Sequence, residues 1–460
     1  MNKSKATLLF KAGMRFSSAD MSVKVQRKYG PLEVQRSQLM NGITVAAAKP
    51  LGCAQIGACT IMYRAGSRYE EDDMLGATHF LRAMSSCSGE GYTSYIKLRA
   101  LQQHGGYLSV TSDRQMISYS LRCPPPLFGD LKFFLLDAAA RCCFHSWEFD
   151  DRRAMVKEDL ERIHPEQRVI DLVQKAMWTG PLSHSMFCEP ERVDDFRSDD
   201  AYNFVNTHFR SDGCSVGSTG FDFEDVIRLA ESINLVREKP PCPRNLSVSC
   251  PRGGFELYDL GACSDTWIAL GIPGVGTSDY RALAKHAIIA AACGTGNKQR
   301  GQHTIDSTPQ TPLSMIAGID PRTSYKAFNI SYLDTGMFGL VVNTRAACAT
   351  PVAKAAAEFL SHIGELDEQQ IEVGKQRLKL AVCLNDENCI LSSFGLALQA
   401  ANYIQINNVG CNIEFINQIP VKEIQETAQA MGKLSAYMAV AVVGDVSAVP
   451  TDRELVCGTK

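Results

Sequence analysis

One order of elements occurs twice along this chain, and few architectures accommodate such a repeat. In the first half, "CTIMYRAGSRYEEDD" is an apolar run that ends in a Gly-Ser turn and an acidic stretch, and a helical pattern follows from Met74. In the second half, "TWIALGIPGVGTSDY" is again an apolar run, a glycine turn and a polar step, and the helical "RALAKHAIIAAACG" follows. Each half then alternates apolar and polar residues about a turn, the mark of a hairpin. The first hairpin is "YLSVTSDRQMISYSLRC", turning near Ser112-Asp113. The second is "KAFNISYLDTGMFGLVV", turning at Asp334-Thr335-Gly336. In the first half a helix stopped by Gly105-Gly106, "YIKLRALQQHGG", precedes the hairpin.

Helical segments follow both hairpins. "PPLFGDLKFFLLDAAARCC" corresponds to "TPVAKAAAEFLSHIG", and "SWEFDDRRAMVKEDLERI" to "ELDEQQIEVGKQRLKLAV". The last two open on acidic residues and carry basic ones farther along, as the helix dipole favours. Between the halves, "REKPPCPRNLSVSCPRGG" holds too much proline and glycine for a helix or a central strand. The reading is therefore an α/β chain of two similar parts. It has a domain at 39–236, a linker at 237–254 and a second domain at 255–460. A chain of 460 residues exceeds what one core ordinarily serves, in agreement with two.

The net charge of -3 supplies no overall pull toward nucleic acid or acidic lipid. No apolar run approaches the roughly 20 residues that span a bilayer, and "AYMAVAVVGDV" reads as a buried strand. None of the 17 cysteines forms a C-x-x-C pair. Their scatter suits buried thiols in a reducing compartment. The N-terminus stands apart: Lys3, Lys5, Lys11 and Arg15 precede the first acid, Asp20, and Leu8, Leu9 and Phe10 can share a helix face. That is the composition of a mitochondrial presequence. Removal is expected near Phe16-Ser17, leaving an extension over 17–38.

"MLGATHFLRAMSS" resembles a zinc-peptidase helix without its working parts. Such a site uses two histidines on one helix face and a glutamate that deprotonates the metal-bound water. In the inverted order H-x-x-E-H, His79 keeps its place, while Arg82 stands at the base position and Ala83 at the second ligand. Arg82 cannot serve as a base and its charge opposes a dication. His79 then reads as a structural histidine, and Ala77, Phe80, Leu81 and Met84 as the packing face. "GTGNKQRGQH" has phosphate-loop glycines, but Gln302-His303 stand where lysine and a hydroxyl belong. "GIPGVG" reads as a turn, and no G-x-S-x-G elbow occurs. Glu158, Asp159 and Glu161 read as a solvated helix face.

The segments "AGSRYEEDDMLGATHFLRAMSS", "HGGYLSVTSDRQMISYSLRC", "SMFCEPERV" and "FNISYLDTGMFGLVV" resemble the pitrilysin/insulinase-type family, which includes the mitochondrial processing peptidase. The resemblance runs from about Leu39 to the C-terminus. It implies two domains, each a mostly antiparallel sheet packed with helices, in a metallopeptidase-like fold. It also implies degenerate zinc positions at His79, Arg82, Ala83 and Glu158, the last near the place of the distal ligand, with no metal and no cofactor. Within the family the chain resembles non-catalytic members. The partners this implies are core protein 1, cytochrome b, cytochrome c1 and the Rieske iron–sulfur subunit, on the matrix side of the mitochondrial inner membrane. The alternative is the presequence-binding alpha subunit of the processing peptidase.

Overall fold

A computed structural model describes residues 34–49, 55–233, 249–297, 311–402 and 407–450. The expected presequence, most of the extension after it and residues 237–248 of the expected linker lie outside the described residues. The first half opens with strands β1 (Val34–Gln38), β2 (Thr44–Ala48) and β3 (Gly57–Tyr63). Helices α1 (Ala77–Met84) and α2 (Ser94–Gln103) lead to the hairpin β4 (Tyr107–Ser112) and β5 (Ile117–Cys123). Helices α3 (Phe128–Ala139), α4 (Ser146–Arg162), α5 (Pro165–Met177) and α6 (Ser198–His208) follow, then β6 (Cys214–Thr219) and α7 (Phe223–Glu231).

The second half repeats the plan. Strands β7 (Gly254–Asp259) and β8 (Thr266–Gly274) precede α8 (Tyr280–Cys293), β9 (Thr295–Asn297) and the short α9 (Ser314–Ala317). The hairpin β10 (Ser324–Ser331) and β11 (Gly336–Thr344) leads to α10 (Ala349–Ser361), α11 (Glu368–Glu387), α12 (Cys389–Ala401), α13 (Val409–Gln418) and α14 (Val421–Gly432). Strand β12 (Ala439–Gly444) closes it.

Both sheets have six strands, in the orders β1-β2-β6-β3-β5-β4 and β7-β12-β8-β11-β10-β9. In each, the last strand of its half inserts beside the half's early strands. It pairs parallel with one (β6 with β2, β12 with β7) and antiparallel with the other (β6 with β3, β12 with β8). The remaining pairings are antiparallel. The repeated order of parts is thus a repeated sheet topology, with an extra edge strand, β1 or β9, at opposite ends.

Several local expectations match. The first hairpin turn is built by Asp113, whose Oδ1 accepts from the backbone N–H groups of Gln115 and Met116, each at 2.6 Å. Gly105, at φ +65°, takes the left-handed conformation that ends α2. Helix α1 begins at Ala77 rather than at Met74, because Gly76 at its N-cap has φ +97°. Strand β1 adds residues of the expected extension to the first sheet, and β7 begins at Gly254, the last residue of the expected linker.

Two helices that the periodicity left unread, α5 and α12, join the halves. Each sheet packs one face on the helices of its own half. The other face is covered by a helix from the opposite half. Val169, Val173, Ala176 and Met177 of α5 pack on Ala269, Phe328, Met337, Ala441 and Val443 of the second sheet. Leu396, Ala397, Ala400 and Ala401 of α12 pack on Ala46, Ala48 and Met62 of the first. That first contact has small residues and hydroxyls: Ser393 Oγ meets Thr60 Oγ1 at 2.9 Å, and Ser215 Oγ donates to the Ala397 carbonyl at 2.8 Å. A Cβ at Gly217 would overlap the Ser393 carbonyl oxygen and the Ala397 nitrogen. The two hairpin turns also touch. The Leu333 N–H donates to Gln115 Oε1 at 2.8 Å, and Arg68, from the turn after β3, grips Asp334 with two bonds of 2.8 and 2.6 Å.

Gly217→Val forces α12 off the first sheet. It should destabilise the chain by about 3 kcal/mol. Because residues 32–460 form one compact unit, the loss should appear as an earlier single transition in thermal denaturation rather than as separate melting of one half.

Candidate functional site

The chain after β3 turns through Ser67–Tyr69 and delivers Glu70 to the start of α1. Its Oε2 accepts from the Gly76 N–H at 2.8 Å, and its Oε1 from the Thr78 N–H and hydroxyl at 2.8 and 2.7 Å. A buried carboxylate therefore satisfies donors that a helix start leaves open. Burial outweighs those bonds and pushes the Glu70 carboxyl up to about 7. Gly76 is required by its positive φ and because a Cβ there would lie 2.6 Å from Cys188 Sγ.

Helix α1 buries Ala77, Phe80, Leu81 and Met84, and Phe80 stacks on Phe149 and Phe196 with centroids 5.1 and 4.6 Å apart. His79 is buried as well. Its Nδ1 accepts the Cys188 N–H at 3.3 Å, and its ring stands edge-on to Phe187. An accepting Nδ1 puts the proton of the neutral ring on Nε2. Burial, and then the Arg82 charge, pull the imidazole down to about 3. Arg82 donates to Ser112 Oγ and, at 3.1 Å, to the Met186 carbonyl, with its guanidinium 5.7 Å from the Phe187 centroid. Burial lowers it to about 10 against the pull of Glu70, Asp159 and Asp171. It is a cation at neutral pH.

The segment that His79 and Arg82 hold is anchored from its other side. Asp171 accepts from Ser185 Oγ at 2.6 Å and from the Met186 N–H at 3.2 Å. It pairs at 2.8 Å with Arg114, whose side chain is fully buried. Arg114 also donates to the Leu182 carbonyl at 3.0 Å. Residues 182–188 are thus clamped between α5 and α1.

Ala83, half-buried, packs against the core of the first half and offers no lone pair. Glu158 is exposed and pairs with Arg162 at 2.5 Å. The core residue Val156 lies two positions earlier, about 200° around the helix, so Glu158 points away from α1. Its neighbour Asp159 supplies the charge that Arg82 senses. The structure brings His79, Arg82 and Ala83 together and leaves Glu158 out. Among the described residues no group of three or more His, Cys, Asp or Glu side chains is arranged to hold a metal ion. Glu70, Arg114 and Asp171 were missed as site residues; an acid just ahead of the helix start was the available signal for Glu70.

Residues 52–190 match the model of the insulinase family, peptidase family M16. The fold is M16-like. The mitochondrial cytochrome b-c1 complex subunit 2 of Homo sapiens is 26% identical over 97% of this chain and 100% of its own length. The probable mitochondrial-processing peptidase subunit alpha-1 of Arabidopsis thaliana is 22% identical over 92% of this chain and 84% of its own. Among solved structures, a chain of complex III2 from Candida albicans, Inz-5 bound, superposes with a TM-score of 0.77 at 15% identity, over 93% of this chain and all of that one.

Glu70→Ala leaves the Gly76 and Thr78 donors without their partner and should cost about 3 kcal/mol. Because the folded value lies above the ordinary 4.5, the stabilisation from Glu70 is complete below 4.5 and is lost as pH rises through about 7. The stability advantage of the native chain over Glu70→Gln should therefore shrink across that window, as read by urea titrations at several pH values.

Proposed function

We propose that this chain is the non-catalytic core subunit 2 of mitochondrial respiratory complex III, in which it supports assembly and stability of the ubiquinol–cytochrome c reductase. The similarity to cytochrome b-c1 complex subunit 2 over the full length of both chains carries this reading. The geometry at α1 supports its non-catalytic part. The side chains at the first-ligand and base positions, His79 and Arg82, bind the chain's own backbone at Cys188 and Met186. Ala83 has nothing to ligate with, and Glu158 faces solvent.

In this role the chain binds core protein 1, cytochrome b, cytochrome c1 and the Rieske subunit. It lies peripherally on the matrix side of the inner membrane; no helix among the described residues is long and apolar enough to cross one. Two M16-like domains, over 39–236 and 255–460, form its body, with β1 added to the first. The basic segment 1–16 is its import signal. Blue-native electrophoresis of mitochondrial membranes should show the chain migrating with cytochrome b and cytochrome c1. Recovery only in a soluble heterodimer that cleaves presequences would give it instead to the alpha-subunit role of the processing peptidase, which the Arabidopsis similarity favours as the second reading.

Arg82→Glu combined with Ala83→His rebuilds the H-x-x-E-H order on α1 without a distal carboxylate at Glu158. The double variant should take up zinc weakly, by metal analysis after dialysis, and should not cleave presequence peptides efficiently.

A further inference from the structure

Between α3 and α4, away from the degenerate zinc positions, a thiol, an imidazole and a phenol converge. Cys143 Sγ lies 3.4 Å from His145 Nε2, within the reach of a sulfur hydrogen bond. The Tyr202 hydroxyl, brought in by α6, donates to the same sulfur at 3.9 Å and is itself held by the Phe144 N–H at 2.8 Å. His145 stacks on Trp147, centroids 4.4 Å apart, and Trp147 is 65% exposed, so the imidazole is fixed at the surface. Cys143 is partly accessible, as is its neighbour Cys142, whose Sγ donates to the Ala138 carbonyl at 3.3 Å. A nucleophile beside a base that a third group orients is the arrangement that activates thiols.

We propose that Cys143, activated by His145, is a modification site that exchanges with small disulfides. His145 takes the Sγ proton, and the thiolate forms a bond to one sulfur of the disulfide. The reagent's S–S bond breaks, and the departing thiolate recovers the proton from the imidazolium. One disulfide is consumed and one is formed, so no further oxidant is needed. Tyr202 donates to the sulfur as charge builds on it. Burial pushes the Cys142 thiol up to about 12. It stays protonated and does not resolve the product, so the mixed disulfide persists.

Accessibility alone predicts another order of reaction, since Cys263 and Cys411 are exposed and Cys143 is only partly so. The test treats the folded full-length chain briefly with oxidised glutathione, quenches with acid and maps mixed disulfides by peptide mass spectrometry. Cys143 should be modified before Cys263 and Cys411. An unassisted cysteine is only a few per cent thiolate at neutral pH, so His145→Ala should slow Cys143 about tenfold while leaving the rate at Cys263 unchanged. Free imidazole should restore the rate at Cys143 alone. Tyr202→Phe, which removes only the hydroxyl, should slow it less. Equal rates at Cys143 and Cys263 in the native chain, or an unchanged Cys143 rate in His145→Ala, overturns the assignment.

Discussion

The backbone of α12 runs against Gly217 at a separation that leaves no room for a single methyl group, and the architecture depends on that contact. A sheet buried on both faces needs two covers, and each half supplies helices for only one. The second cover comes from the other half, α12 for the first sheet and α5 for the second. The two contacts differ in chemistry. The α5 face is apolar and interdigitated. The α12 face is small and hydroxyl-bearing, with Thr60, Ser120, Ser215 and Ser393 linked to one another or to the helix backbone. Close approach buries those polar groups, and each then requires its partner. The two halves therefore hold each other's sheets closed, which is why residues 32–460 form a single compact unit.

The arrangement at α1 follows from the same economy of partners. In a zinc helix, the positions of His79, Arg82 and Ala83 would point at a metal and its water. Here the imidazole and the guanidinium turn to the segment before Glu189, which Asp171 and Arg114 hold from the opposite side. The Arg82 cation lies among Glu70, Asp159 and Asp171. It supplies a fixed positive charge beside His79. Phe80, Leu81 and Met84 turn the other side of the helix to the core of the first half.

Much of the fold was legible in the residue pattern. Both hairpins, the strand-to-helix steps after β3 and β8, the helices α3, α4, α10 and α11, and the buried strand β12 are local or periodic features. Gly105, Asp113 and Asp334-Thr335-Gly336 mark their ends. Helices α5 and α12 were not read, and their roles could not have been. Their burial depends on a sheet in the other half of the chain, and neither "PEQRVIDLVQKAM" nor "CILSSFGLALQAA" states which sheet that is. At the site, the sequence already put Arg82 and Ala83 where an H-x-x-E-H motif has its glutamate and second histidine. Glu158 was placed by the family resemblance, and in the structure it is exposed and pairs with Arg162. Glu70 stood in the sequence as an acid just ahead of the helix start, but its capping of α1 depends on the turn that carries it there.

For this chain, the sequence by itself determined the two-fold order of strands and helices and the absence of a complete zinc motif, since both rest on residue type and short-range periodicity. The tertiary structure alone decided which half covers which sheet, and what His79 and Arg82 bind. Those outcomes depend on contacts between residues far apart in the chain. Gly217 meets Ser393, Asp171 holds the segment that Arg82 also grips, and Arg68 reaches Asp334. The residue types at each position allow such pairs, but only the packed chain selects among them.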